Sequence, residues 1–104
     1  MLQHAREAVA LVEGKTRQQL DSDRLLNLAL VRLVEIVGEA AARVPRDKWT
    51  LYAQIPWWEI VSLRNRLIHA YDSIDFDILW EIVTNDLPPL ISQLEQILAA
   101  GESP

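Results

Sequence analysis

Apolar residues recur along this chain at intervals of three and four, the period of an α-helix, and they do so in four separate stretches. Leu2, Ala5, Val9 and Val12 mark a first helix from about Leu2 to Glu13, with Gly14 as its stop. Thr16, with Gln19 three residues later, has the pattern of a capping box that restarts the chain for a short turn. Asp21, Ser22 and Asp23 then offer caps for the longest helix, about Arg24 to Val44. Pro45 ends it, and Arg46 to Ile55 reads as a connection with room for a short turn. Pro56 suits a first helical turn, so a third helix follows from about Pro56 to Ile68 or His69, with Trp57, Ile60, Val61, Leu63, Leu67 and Ile68 on one broad face. A last helix from about Asp75 to Ala99 buries Phe76, Leu79, Val83, Leu87, Leu90, Leu94 and Ile97, and the Pro88-Pro89 pair kinks or breaks it.

Three glycines and no hairpin dipeptide leave strands little to turn on, so the expected fold is all-α, an antiparallel bundle of four to five helices. Residues 1–100 read as a single helical domain and 101–104 as a loose tail. The second long helix is the anomaly. Its apolar positions far exceed the ~100° stripe that one contact face needs, and its polar residues fall on a narrow line, Asn27, Glu35, Glu39 and Arg43, with Arg32 beside it. A helix this apolar in a small protein calls for cover on two sides, once by its own domain and once by a second copy, which makes a homodimer the expectation. Glu35 and Glu39 are expected to pair with Arg32 and Arg43 along that line.

The chain has 104 residues, half of them hydrophobic, a formal charge of −5 and no cysteine. Disulfide scaffolds and thiolate metal sites are thereby excluded. The N-terminal stretch lacks an apolar signal core, and nowhere are there the ~20 uncharged residues that a bilayer span requires, so the expected location is the cytoplasm, away from membranes. An acidic balance argues against non-specific coating of nucleic acid, DNA included, since that affinity comes from neutralising many phosphates. Arg43, Arg46 and Lys48 nevertheless cluster in one turn region, and Arg64 and Arg66 lie together in the third helix. Asp72, Asp75, Asp77, Glu81 and Asp86 lie apart in sequence, so a focused positive cleft is compatible with the overall charge.

Candidate chemistry concentrates in one string, Arg64-Asn65-Arg66-Leu67-Ile68-His69-Ala70-Tyr71. Of the two histidines, His4 lies at a terminus, which leaves His69 as the candidate for acid-base work near neutral pH. Five residues on a straight helix put Arg64 and His69 about 140° apart at ~100° per residue. They converge only if the helix ends or opens near His69, or if a cleft joins two copies of the string. An imidazole, a guanidinium and an amide suit RNA phosphodiester cleavage, in which the 2′-hydroxyl is the nucleophile. His69 would move the proton, Arg64 would hold the non-bridging oxygens, Asn65 would orient the imidazole or the phosphate, and no divalent ion or other cofactor is called for. The same spacing also fits a structural role, since Arg and His at a helix C-terminus satisfy the last carbonyls and the macrodipole. The four tryptophans read as packing residues rather than base-stacking platforms. No Glu-x-x-His companion, Gly-rich phosphate loop, serine elbow or His-Glu-x-x-His motif occurs.

The string resembles the Arg-x4-His-x-Tyr motif of the HEPN superfamily, specifically its HepT-like branch of toxin ribonucleases. Glu35 to Ala41, Ile55-Pro56-Trp57, Leu79 to Val83 and Asn85 to Pro88 agree with that branch, and the resemblance runs from about residue 5 to 98. It implies a homodimeric HEPN bundle whose cleft joins two motifs, and a metal-independent endoribonuclease of a type VII toxin-antitoxin pair, with tRNA a candidate target and a 2′,3′-cyclic phosphate product. Arg64 and His69 would be catalytic, and Asn65 and Arg66 would contact the substrate phosphate. It also implies a nucleotidyltransferase antitoxin of the MntA type as partner, transferring AMP to Tyr71, where added negative charge and bulk would block the phosphate site. The alternative is a non-catalytic helical subunit that presents a nucleotide, a substrate or Tyr71 to a minimal nucleotidyltransferase.

Overall fold

A computed structural model describes residues 1–68 and 73–101. Among them the protein is all-α. The helices are α1 (Leu2–Val12), α2 (Arg17–Ser22), α3 (Arg24–Arg43), α4 (Arg46–Leu51), α5 (Trp57–Val61), α6 (Leu63–Leu67), α7 (Phe76–Glu81) and α8 (Leu87–Ala99), with a π-helical turn, Ile82–Asp86, joining the last two. The short α2 and α4 are connectors, and the bundle is made by α1, α3, the α5–α6 pair and the α7–α8 pair. No strand forms among the described residues, and the one antiparallel bridge joins Ile68 to Ile74.

Local chemistry sets most of these boundaries. Gly14 takes φ +72°, the left-handed conformation that costs glycine little, and α1 stops just before it. The capping box is formed: Gln19 N–H donates to Thr16 Oγ1 at 3.3 Å, and Thr16 N–H donates to Gln19 Oε1 at 2.7 Å. Asp23 accepts from Leu26 N–H at the start of α3, and Asp75 accepts from Asp77 and Ile78 N–H at the start of α7. Arg17 bridges Asp21 and Asp77, tying α2 to α7. Its guanidinium pKa is raised above the ordinary value, chiefly by the hydrogen bond to Asp21, with desolvation opposing it and Asp77 adding to it.

The core is one contiguous cluster. Leu26, Leu30, Val34, Val37 and Ala41 give α3 a buried stripe, packed against Ala5, Ala8 and Val12 of α1 and against α5. Ala5 and Ala8 are fully buried, and such small side chains let the α1 and α3 backbones approach closely. Asn27 is a correction to the polar line expected on α3: it is buried on the core side. The line pairs differently too. Arg32 meets Glu39 at 3.4 Å, while Glu35 turns to another helix and Arg43 has no ion pair among the described residues.

One helix expected to be continuous is not, and the last is interrupted beside its proline pair as expected. The third is divided at Ser62, which sits at φ −87°, ψ 2°, outside helical geometry. Serine offers the backbone alternatives to the helix ladder, and here Ile60 and Val61 turn their carbonyls toward Gly38 of α3. The fourth opens into the π-helical turn just before Pro88 and Pro89, neither of which has an N–H to donate to the preceding turn.

The described chain is a plate, 41 × 31 × 17 Å with a radius of gyration of 13.9 Å. A compact domain of this length has about 13 Å. A thickness of 17 Å is under two helix diameters of roughly 10 Å each, so α3 is covered by its own chain on one side. Leu25, 81% exposed, and Leu28, 50% exposed, lie on the other.

Candidate active site

The site is built on α6, which is anchored by two residues and presents three. Leu63 and Leu67 are buried, and between them Arg64, Asn65 and Arg66 face solvent. The helix ends at Leu67, one to two residues before the expected end, and Ile68 is extended at ψ 121°. Its bridge to Ile74, together with the bond from Asp75 N–H to Leu67 O at 2.9 Å, clamps the chain on both sides of the intervening segment at the end of α6. His69 and Tyr71 lie outside the described residues.

Each motif arginine has a carboxylate partner from a different helix. Arg64 donates from Nε to Glu35 Oε2 of α3 at 3.1 Å, and Arg66 donates to Asp86 Oδ2 in the π-helical turn at 2.8 Å. Both contacts correct the sequence reading, which set the acids apart from the motif and gave Glu35 to its own helix. Glu35 precedes Arg64 by 29 residues and Asp86 follows Arg66 by 20, and no helical period links either pair. With side chains 61% and 24% exposed, the Arg64–Glu35 pair contributes at most about 1 kcal/mol to stability. Its effect is orientational, because engaging Nε fixes the plane of the guanidinium while the side chain stays accessible.

Arg66 and Asp86 stand at the rim of a cavity of about 280 Å³ floored by Ile60, Leu63, Leu87 and Leu90. The tryptophans split into two kinds. Trp49 and Trp57 are buried, stacked with ring centroids 5.6 Å apart, and Trp57 Nε1 donates to Tyr52 O at 3.1 Å. Trp58, expected in the packing, is 66% exposed and meets Trp49 edge-on at 4.9 Å. Among the described residues no group of three or more His, Asp or Glu converges as a metal-ligand set, and no helix is long and apolar enough to cross a membrane.

These features define a small all-α protein that gathers its chemistry-bearing residues at the end of one short helix. A family model described as "Ribonuclease HepT-like" matches residues 1–97, and the chain belongs to that family. It is 37% identical over 100 residues to a protein of Thermococcus cleftensis named "Probable ribonuclease HepT", covering 92% of this chain and 91% of that one. Two relatives named as putative RNases are similar at comparable levels. One, from Methanocaldococcus jannaschii, is 32% identical over 94% of this chain and 81% of its own length. The other, from Caldanaerobacter subterraneus subsp. tengcongensis, is 33% identical over 94% and 88%. No solved structure matches the chain.

Proposed function

We propose that this protein is an endoribonuclease that cleaves RNA by transesterification, acting as the toxin of a HepT-like toxin-antitoxin pair. The observation that carries the reading is the exposed Arg64-Asn65-Arg66 triplet at the clamped end of α6, in a chain that belongs to the HepT-like ribonuclease family. In this reading His69 accepts the proton of a 2′-hydroxyl, and the oxygen so freed attacks the adjacent phosphorus. Arg64 takes the charge that builds on the non-bridging oxygens, and Asn65 and Arg66 hold the phosphate. The bond to the 5′-oxygen breaks, that oxygen takes up a proton, and the products are a 2′,3′-cyclic phosphate and a 5′-hydroxyl. Each step is a proton transfer or a charge stabilisation that an imidazole and guanidinium groups can perform without a divalent ion. tRNA is the proposed target.

A homodimer follows from the same reading. Leu25 and Leu28 on the outer side of α3 are the apolar surface a second copy would cover, and two copies would bring two motifs to one cleft, one histidine acting as base and the other as acid. Control would come from an MntA-like nucleotidyltransferase antitoxin that places AMP on Tyr71, adding negative charge where the RNA phosphate must sit.

Purified protein treated with EDTA, with Tyr71 verified free of AMP by mass spectrometry, is incubated with total tRNA beside His69→Ala and Arg64→Ala. Cleavage by the parent, lost in both variants while helicity and mass are kept, is the expected result. Absence of cleavage by the unmodified parent would replace this reading with that of a binding subunit for a nucleotidyltransferase.

A further inference from the structure

The α4–α5 corner carries a surface cluster that the catalytic reading does not use. Arg46 lies over two indole rings, its guanidinium carbon 3.6 Å from the centroid of Trp49 and 4.5 Å from that of Trp58. The aromatic contact holds the cation in place without neutralising it, and Arg46 has no ion pair among the described residues. Neither has its sequence neighbour Lys48, nor Arg43 at the end of α3. Asp47 and Glu59 are the acids beside these three cations in sequence, and further along the same surface Asp86 is paired with Arg66.

Trp58 separates two shallow depressions. One, of about 500 Å³, is lined by Arg46, Trp49, Thr50 and Trp58 among others. The second, of about 550 Å³, is lined by Trp58, Glu59, Ser62, Arg66 and Asp86. The two adjoin at Trp58 and Glu59, so the aromatic cluster and a motif arginine border neighbouring depressions. Trp58, Ser62 and Arg66 follow one another at intervals of four residues and, across the α5–α6 joint, line the same depression. A few nucleotides of single strand would follow that surface.

An exposed indole accepts a base of any identity on the face that the arginine does not cover, and the guanidinium held over its other face takes a neighbouring phosphate. Bases in a duplex are already stacked, so the ligand must be single-stranded or looped. We propose that Trp58 and Arg46 form an RNA subsite outside the catalytic motif, stacking an unpaired base on Trp58 and holding its backbone with Arg46, and so setting the register of the strand that passes Arg66. The proposal rests on the ribonuclease reading for its substrate class.

The test uses the full chain and a fluorescent single-stranded oligonucleotide whose 2′-hydroxyls are methylated so that it cannot be cleaved, with binding read by anisotropy. Trp58→Ala is expected to weaken binding by about five- to 150-fold, the range measured for loss of one stacked base, and Trp58→Phe to restore most of it. Arg46→Ala should weaken binding and flatten the dependence of log affinity on log salt by about 0.7. On a cleavable strand, Trp58→Ala should raise KM with kcat kept. Because Trp58 is mostly exposed, its removal leaves the core intact, which circular dichroism checks. Unchanged affinity in Trp58→Ala would overturn the subsite, as would a loss of affinity that accompanies a changed oligomeric mass, which would place Trp58 in an interface between copies. Cleavage by the parent with KM unmoved in Trp58→Ala refutes the subsite and leaves the ribonuclease reading standing. Binding that depends on Trp58 without any cleavage does the reverse.

Discussion

Gly38 is the position where a single methyl group tests the packing that carries the motif. It is buried in the middle of α3, where glycine is ordinarily unfavourable by about 1 kcal/mol relative to alanine. A Cβ placed there would lie 3.1 Å from Ile60 O and 3.7 Å from Val61 O, at the joint between α5 and α6. Both atoms are backbone, so relief requires α5 to move rather than a side chain to rotate. That movement is resisted, because Trp57 and Ile60 of the same short helix are each only 4% exposed and fill the core. Overpacking of this kind costs about 1–3 kcal/mol, against a gain of about 1 from helix propensity. Gly38→Ala should therefore destabilise by roughly 1 kcal/mol, and Gly38→Val by about 2–4, since valine adds bulk and loses the propensity gain. For a chain of this size 1 kcal/mol lowers Tm by about 4–8 °C, which thermal unfolding followed by circular dichroism resolves. Exposed Ala42→Gly on the same helix should also lower Tm, by the propensity effect alone. A Tm raised by Gly38→Ala would refute the close approach of α3 to the joint.

Thr16→Ala removes the side-chain half of the capping box and should lower unfolding free energy by about 1 kcal/mol in urea titration, with Thr16→Asn near neutral. Glu35→Ala should change stability by less than about 1 kcal/mol, because the pair with Arg64 is largely exposed, while lowering kcat about tenfold through an unfixed guanidinium. Unchanged kcat would show that Glu35 does not position Arg64, and a loss of several kcal/mol would refute the reading of the pair as weak and exposed. Leu25→Glu combined with Leu28→Glu should shift the mass in light scattering at micromolar concentration from dimer to monomer while helicity persists, and a parent that is already monomeric at that concentration removes the dimer reading.

The helices were legible in the sequence where the deciding interactions are local. Thr16 and Gln19 cap each other, Asp23 caps the residue three beyond it, and Gly14 stops a helix by its own backbone preference. Membership of the HepT-like family could be read from the motif and four flanking segments. Tertiary structure decided what depends on distant partners. Asn27 is expected on one polar line with Glu35 and Glu39 yet is buried, because which side of α3 meets α1 is set by the packing of both helices. Glu35 abandons its own helix for Arg64, and Asp86 reaches Arg66, because α3, α6 and the π-helical turn are brought together by a shared core and no sequence interval encodes their distance. The break at Ser62 belongs to the same class, arising where Gly38 lets α3 approach the carbonyls of the joint. Trp57 and Trp58 are adjacent and identical in type, and they have opposite fates because successive residues on a helix point about 100° apart, one into the core and one into water. Sequence carries the chemistry of each residue and the rules of its nearest neighbours. Burial, partnership and exposure are properties of the assembled surface, and only the fold assigns them.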